Sequence, residues 1–170
     1  MNKNLLIIGA GQYGYVAKET AEAVGNYDKI SFIDNNSQIA IGKTDELDAF
    51  VCEYAQAFVA IGNSKIRLEL IERLEAIGYH VITLIHPKAY VSPSAKIEKG
   101  CIVEPNAVVQ ANANVEFGCL ISAGAVVNHN AVLGKGCHID CNATVAACSV
   151  VNAGTKVESG QVYKSEAGHV

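Results

Sequence analysis

The chain of 170 residues has no tryptophan, one methionine and three prolines. Those scarcities alone exclude nothing, but other absences do. No apolar run approaches the roughly 20 residues that a membrane-spanning helix needs, so a membrane role is not expected. No stretch of Lys and Arg occurs, and 13 basic against 17 acidic residues leave a net charge of -4. A nucleic-acid partner, which requires a phosphate-neutralising surface, is therefore not expected. No CxxC pair exists among Cys52, Cys101, Cys119, Cys137, Cys141 and Cys148, so a structural zinc site lacks its ligands and no metal is expected. The first residues carry no signal-peptide architecture, which makes the cytoplasm the expected compartment. No low-complexity linker interrupts the chain. Half of it is hydrophobic, enough for one domain or two small ones.

What is present is a period of six. Aliphatic residues recur at Val91, Ile97, Val103, Val109, Val115, Ile121, Val127, Leu133, Ile139, Val145, Val151 and Val157. Two residues before most of them stands a small side chain, such as Cys101, Ala107, Ala113, Cys119, Ala125, Ala131, Cys137 and Ala143. One residue earlier again stands mostly Gly or Asn, from Gly100 through Asn130 to Gly154. Neither a helix nor a simple strand repeats at six. Short strands joined by tight corners do, with the corner taken by residues that tolerate positive φ. Three such units make a triangular coil of 18 residues, and the stretch yields about four coils of a parallel β-helix. Cys101, Cys119 and Cys137 lie 18 apart and should stack on one inner edge as small hydrophobes. That argues against a disulfide framework. The spacing leaves the handedness open.

The N-terminal part reads differently. A buried strand over Asn4 to Ile8 runs into Gly9-Ala10-Gly11-Gln12-Tyr13-Gly14, and a helix is expected from Tyr15 to Val24. A second strand, Lys29 to Ile33, ends at Asp34. A GxGxxG turn with an acid about 20 positions later is the dinucleotide fingerprint: glycines for close approach, helix amides for a phosphate. The same glycines would serve a turn that needs them only for packing. A short strand is read at Ile39 to Ile41, and a helix over Asp45 to Phe50 capped by Thr44. A third strand spans Ala57 to Ile61. After Gly62-Asn63 a helix over Lys65 to Ile77 presents Ile66, Leu70, Leu74 and Ile77 on one face, and a last strand runs from His80 to Ile85. This alternation predicts a small parallel sheet over residues 1–86, with the coils over 87–170. Four strands are half of a dinucleotide domain. They suit a mononucleotide, such as the uridine diphosphate of an activated sugar.

Two histidines stand out in the coils. His129 sits at a corner in Val127-Asn128-His129-Asn130, and His138 follows half a coil later. They cannot stack on one edge of one chain, but a corner of one subunit could meet a flat side of another. Histidine is the natural general base near neutral pH. Cys137 or Cys141 as a nucleophile is the further option, although Cys137 should point inward. A metal-dependent anhydrase would want three converging histidines, and the coils supply two.

In order along the chain, Ile7-Ile8-Gly9-Ala10-Gly11, Gly14, Phe32-Ile33-Asp34, Ala60-Ile61-Gly62-Asn63 with Arg67, Ile85-His86-Pro87, Val91-Ser92-Pro93-Ser94-Ala95 and Val127-Asn128-His129 resemble the bacterial sugar O/N-acyltransferases of the sialic-acid-acetylating and bacillosamine-acetylating type. The resemblance covers nearly the full length. It implies an α/β half-Rossmann-like domain followed by a left-handed β-helix of hexapeptide repeats, and a homotrimer with sites at subunit interfaces. It implies acetyl-CoA as donor and a UDP-linked amino sugar, or a sialic acid, as acceptor. Carried over, His129 is the general base, with Asn130 beside it, and His138 contacts the acetyl thioester. Gly9, Gly11 and Asp34 line the nucleotide pocket, with Asn63 and Arg67 as further substrate contacts.

Two departures from the family pattern carry expectations. The family usually places Asp or Glu directly after the catalytic His, where this chain has Asn130. An amide orients the ring without neutralising an imidazolium, so a weaker base is expected, or support from another carboxylate such as Asp140 or Glu116. Family members also close with a Val-Pro-Pro-Gly-like turn and a Gly-Asn-Pro-Ala-like ending. Here the chain reads Val157-Glu158-Ser159-Gly160-Gln161-Val162-Tyr163-Lys164, and weaker donor binding is expected. A non-catalytic nucleotide-sugar-binding trimer is the reading from a different class.

Overall fold

The computed structural model describes residues 3–165. Residues 166–170 lie outside the described residues. The chain divides into two compact units, Met1–Leu84 and Ile85–Val170.

The first unit is a four-stranded parallel sheet. Strand β1 (Leu5–Ile8) is followed by helix α1 (Gln12–Val24), strand β2 (Ile30–Ile33), the short helix α2 (Leu47–Phe50), strand β3 (Gln56–Val59), helix α3 (Ser64–Ile77) and strand β4 (His80–Val81). The spatial order is β2-β1-β3-β4. All four residues of β1 are buried, the pattern of a central parallel strand covered on both faces. Helix α1 starts three residues before the expected Tyr15, because Gly11 itself takes the extended N-cap position. Ile39 to Ile41 is not a strand; an isolated bridge from Ile33 to Gly42 is all that pairs there. Thr44 opens a 3-10 turn rather than capping a helix, and its hydroxyl and amide go to Asn35 Oδ1, each at 3.0 Å. The expected strand from His80 to Ile85 is two pieces, with Leu84–Ile85 separate.

The buried face of α3 is shifted from the one read in the sequence. Arg67, Ile71 and Leu74 face inward, whereas Ile66 is 46% exposed. The displaced apolar residues have another use, described below.

The second unit is a column of two-residue strands in three parallel sheets. Along the first face stack Ile102–Val103, Leu120–Ile121, His138–Ile139 and Lys156–Val157. The second face carries Tyr90–Val91, Val108–Val109, Val126–Val127, Thr144–Val145 and Val162–Tyr163. The third carries Lys96–Ile97, Asn114–Val115, Val132–Leu133 and Val150–Val151. Every pairing joins residues 18 apart, so three six-residue units close one coil. The repeating aliphatic and small residues form one continuous core.

The corners are equally regular. Every sixth residue from Gly100 to Gly160 has φ between +55° and +72°. Ten are Gly or Asn, and the eleventh is Cys148 at +59°. A left-handed backbone costs an ordinary L-residue about 1–2 kcal/mol, so at Cys148 the coil geometry overrides the preference of the residue.

The cysteine column stacks as expected. Cys101, Cys119 and Cys137 are fully buried, and their thiols donate to the carbonyls of Glu116, Gly134 and Asn152 at 3.1–3.3 Å. Contact with Cys101, helped by burial, pushes the Cys119 thiol up, and contact with Cys119 does the same to Cys137. A buried, protonated thiol is no nucleophile. Cys141 is pushed up as well, by desolvation first and then by the charges of Glu104 and Asp140.

Candidate functional site

In the first unit the chain leaves β1 toward β2 on one side and returns past it to β3 on the other. The carboxyl ends of β1 and β3 therefore flank a topological switch point, the crevice where open α/β sheets bind ligands. Gly9 to Gly11 follows β1 there, and Gly62 and Asn63 follow β3. Each loop leads into a helix N-terminus, α1 and α3, whose amide ends favour an anion.

The glycines of the fingerprint separate by cause. A Cβ on Gly14 would stand 2.3 Å from the Gly9 carbonyl oxygen, and one on Gly9 would meet the Ala60 oxygen at 2.8 Å, at a φ of +106°. Both are required by the packing of the turn. A Cβ on Gly11 or on Gly62 would meet nothing within 4 Å, at an ordinary φ. The fold gives no reason for glycine at those two positions, and both border the crevice. Gly14→Ala should destabilise the chain by about 2–3 kcal/mol, the scale of overpacking in a tight site. Gly11→Ala should stay within about 1 kcal/mol while weakening nucleotide binding at least tenfold. Urea unfolding and titration calorimetry with UDP on the two variants separate these effects.

Asp34 is partly buried. Its carboxylate accepts from the Ala10 amide at 2.8 Å and from the Asn36 amide at 2.8 Å. Those two backbone bonds, Ala10 first, hold its carboxyl below the usual carboxylate range. It ties the glycine turn to the loop after β2. Asn63 caps α3, its Oδ1 accepting from the Ile66 amide at 3.1 Å. Arg67 is withdrawn from the surface. It is fully buried, and its guanidinium donates to the carbonyls of Ile61 at 2.6 Å and Gly62 at 2.9 Å. The direct ligand contact expected from its place in the motif is not what this burial presents. Arg67 instead holds the loop that carries Gly62.

A cavity of about 360 Å³ opens beside this crevice, lined by Asn35, Thr44, Ile61, Ile66, Glu69, Leu70 and Arg73. Ile66 and Leu70 are the residues displaced from the buried face of α3. Their apolar surface in a polar-rimmed pocket suits the flat face of a base.

In the second unit, His129 is exposed at the corner between the second and third faces. Its amide is held by Asn128 Oδ1 at 3.0 Å, and its carbonyl accepts from the Cys148 amide of the next coil at 3.0 Å. The Asn130 carboxamide nitrogen lies 3.1 Å from His129 Nδ1. Presented this way, the amide fixes the ring proton on Nε2. Turned over, the isosteric amide oxygen accepts Nδ1–H and leaves Nε2 as the base.

His138 stands on the first face, on the side of the triangular coil opposite the His129 corner. The structure does not bring the two together within one chain. His138 Nε2 lies 3.1 Å from Ser122 Oγ in the coil before and 3.9 Å from Asp140 Oδ1. Asp140 also accepts from the Cys141 amide at 2.8 Å and from Lys156 Nζ at 3.1 Å. Partial burial pushes its carboxyl up, but the Cys141 amide, Lys156 and His138 together outweigh that and hold it below the usual range. Within the chain, then, Asp140 attends His138 rather than His129. Sequence reading missed Ser122. It is 16 residues from His138, and the 18-residue coil register is the signal that could have found it. Among the described residues, no group of three or more His, Cys, Asp or Glu is placed to hold a metal ion, and no helix is long and apolar enough to cross a membrane.

Comparison with known proteins gives four findings. Residues 4–74 match the family described as the PglD N-terminal domain. The UDP-N-acetylbacillosamine N-acetyltransferase of Bacillus subtilis (strain 168) is 31% identical over 111 residues, 59% of this chain and 51% of that protein. The chain thus spans about half the length of the curated relative it matches. The acetyltransferase domain of PglB from Neisseria gonorrhoeae FA1090, solved in complex with acetyl coenzyme A, superposes with a TM-score of 0.86 and 31% identity, over 97% of this chain and 94% of that one. PerB from Caulobacter crescentus, solved with CoA and GDP-perosamine, shares the fold at a TM-score of 0.73 and 23% identity, over 94% and 90%. The shared architecture is a Rossmann-like α/β region followed by a left-handed β-helix of hexapeptide repeats.

Proposed function

We propose, from the premise that this chain belongs to the PglD/PglB-like family of bacterial sugar N-acetyltransferases with hexapeptide repeats, that it transfers an acetyl group from acetyl-CoA to the amine of a nucleotide-linked amino sugar. The observation that carries this reading is His129. It is an exposed imidazole on a coil corner, with Nδ1 paired to a neighbouring amide and Nε2 turned to its surroundings. That is the arrangement of a general base.

The thioester donor is already activated, so no covalent enzyme intermediate is required. The amine attacks the thioester carbonyl, His129 Nε2 takes the proton it sheds, and collapse of the tetrahedral adduct breaks the C–S bond and expels the CoA thiolate, which takes up that proton to leave as the thiol. For that step Asn130 presents its oxygen to Nδ1–H. His138 donates a hydrogen bond to the carbonyl oxygen as charge builds there. The switch-point crevice of the first unit, with Gly9, Gly11, Asp34 and Asn63, receives the nucleotide, and the cavity walled by Ile66 and Leu70 receives its base. Acetyl-CoA as donor places the work in the cytoplasm.

The site is completed by a second copy of the chain. His129 and His138 lie on opposite sides of one coil, so one protomer supplies the corner and its partner the flat face. Apolar side chains on both faces beside the corner support this, with Val162 70% and Val150 53% exposed. Three such contacts close a ring, giving a homotrimer.

Titration calorimetry with acetyl-CoA and, separately, with UDP tests the reading, followed by thiol release with a UDP-amino sugar. The expected result is one site per chain for each ligand and acetyl-dependent thiol release. Acetyl-CoA binding without UDP binding would move the acceptor to a sialic acid or another free small molecule. No acetyl-CoA binding at millimolar concentration would leave a non-catalytic nucleotide-sugar-binding protein.

A further inference from the structure

A cleft of about 330 Å³ opens on the second unit, lined by Ser94, Lys96, Asn112, Ala113 and Asn114. These residues belong to the third face and to its corner with the second, in the two coils that precede the one carrying His129. The coils are tied together at that place. The Asn114 amide bonds the Ala131 carbonyl at 2.9 Å, and the Asn130 amide bonds the Ala111 carbonyl at 3.0 Å. The cleft therefore begins one strand spacing, about 4.8 Å, from the corner that presents His129.

The lining is rich in donors and holds no acid. Lys96 and Asn114 take the outward position of their strands. Among the described residues, neither side chain has a hydrogen bond or an ion pair. Ser94 Oγ accepts from the Asn112 amide at 3.1 Å and lies 3.2 Å from Ser92 Oγ. Asn112 is explained by its corner, with a φ of +57°. Nothing of the kind explains Asn114. Asparagine is depleted in strands, and the same outward position in the next two coils is Val132 and Val150. The third face thus turns from polar to apolar at the level of the His129 corner. An apolar contact with a second chain accounts for the valines and leaves the amide and the ammonium without a use.

The chemistry of the transfer supplies one. With the attacking amine in hydrogen-bond reach of His129 Nε2, the sugar that bears it extends over the neighbouring coil, because a pyranose with its substituents is about as wide as one coil spacing. Its hydroxyls want partners that both donate and accept, which a carboxamide does. The phosphate on its anomeric carbon wants a cation with no acid beside it, which Lys96 is. The arm of acetyl-CoA next to the thioester is uncharged and offers Lys96 nothing.

We propose that this cleft is the sugar subsite of the acceptor, with Asn114 holding hydroxyls of the pyranose and Lys96 the phosphate that joins it to the nucleotide. The proposal rests on the reading that His129 is the base of an acetyl transfer to a nucleotide-linked amino sugar. It makes Asn114 the residue that tells the sugar nucleotide from the bare nucleotide.

Asn114→Val gives this coil the side chain that its face already carries at Val132 and Val150, so folding should be unaffected. In thiol release with a UDP-amino sugar, the variant should raise KM for that sugar about tenfold, the scale of one hydrogen bond. KM for acetyl-CoA should not change, and kcat should change little, as expected where binding alone is lost. Calorimetry should give the parent Kd for UDP, which lacks the pyranose. Lys96→Met should weaken UDP and the sugar nucleotide alike, by about tenfold. Selective 15N labelling of asparagine reads the contact directly. The Asn114 carboxamide signals of the parent should move on adding UDP-glucosamine and stay in place on adding UDP. Signals that ignore UDP-glucosamine, or an Asn114→Val chain with the parent KM, overturn the proposal. The two readings fail differently. Thiol release that is indifferent to Asn114 removes the subsite and keeps the acetyl transfer. Asn114 signals that move in a chain without thiol release keep the cleft as a sugar site and remove the transfer.

Discussion

Replacing His129 by alanine should lower kcat by about 10²–10⁴-fold, the usual contribution of a positioned general base, with little change in binding of either substrate. That loss corresponds to about 3–5.5 kcal/mol of transition-state stabilisation. Folding should be nearly untouched. The side chain is exposed and its one side-chain bond is to Asn130, so the change in stability stays within about 0.5 kcal/mol. Steady-state kinetics and urea unfolding on the same preparation check both halves, and a variant that lost stability with activity would speak for a structural role.

Asn130→Asp extends the same argument with the opposite sign. A carboxylate at Nδ1 favours the imidazolium and raises the proton affinity of the ring. The rising limb of the kcat profile should move to higher pH, and the plateau above it should rise because the base is stronger. Asn130 has a backbone φ of +56°, which Asp also tolerates, so the substitution tests charge rather than the corner. Unchanged rate and unchanged profile would mean that the residue serves the turn alone.

How far the sequence foretells this molecule depends on how local the cause is. The coil was legible residue by residue, because its geometry repeats every six positions and each position has one physical demand. Val127 and Leu133 face inward, Ala125 and Ala131 fill the space before them, and Asn130 turns the corner. Cys148 shows the limit: its residue type does not suggest a positive φ, and only the register does. In α3 the apolar stripe misled, since Ile66 and Leu70 are apolar for the sake of a cavity and not the core. Arg67 was hidden for the converse reason, as a charged residue that satisfies the buried carbonyls of Ile61 and Gly62. The GxGxxG pattern could not say which glycines serve packing and which serve a ligand. Only the space around each Cβ separates Gly9 and Gly14 from Gly11. The pairing of Ser122 with His138 depends on the 18-residue register, which the period supplies but no short motif announces.

The second large effect concerns where the site is built. His129→Ala and His138→Ala homotrimers should each be nearly inactive, yet mixing the two after dissociation and reassembly should restore activity. The proposed site takes His129 from one protomer and His138 from the next. In randomly assorted trimers about one quarter of the interfaces join a protomer that retains His129 to a partner that retains His138 in the right order. Recovery should therefore approach about one quarter of the parent rate, set by the mixing ratio and highest at equal proportions. A site confined to one chain predicts none, because every protomer in the mixture lacks one of its two histidines. The triangular coil makes the distinction sharp. His138 points from a face and His129 from the opposite corner, and no rotation of side chains carries one around the core to the other. Two rows of stacked strands stand between them, so the pair can act on one substrate only if a second coil brings its own flat side to the corner.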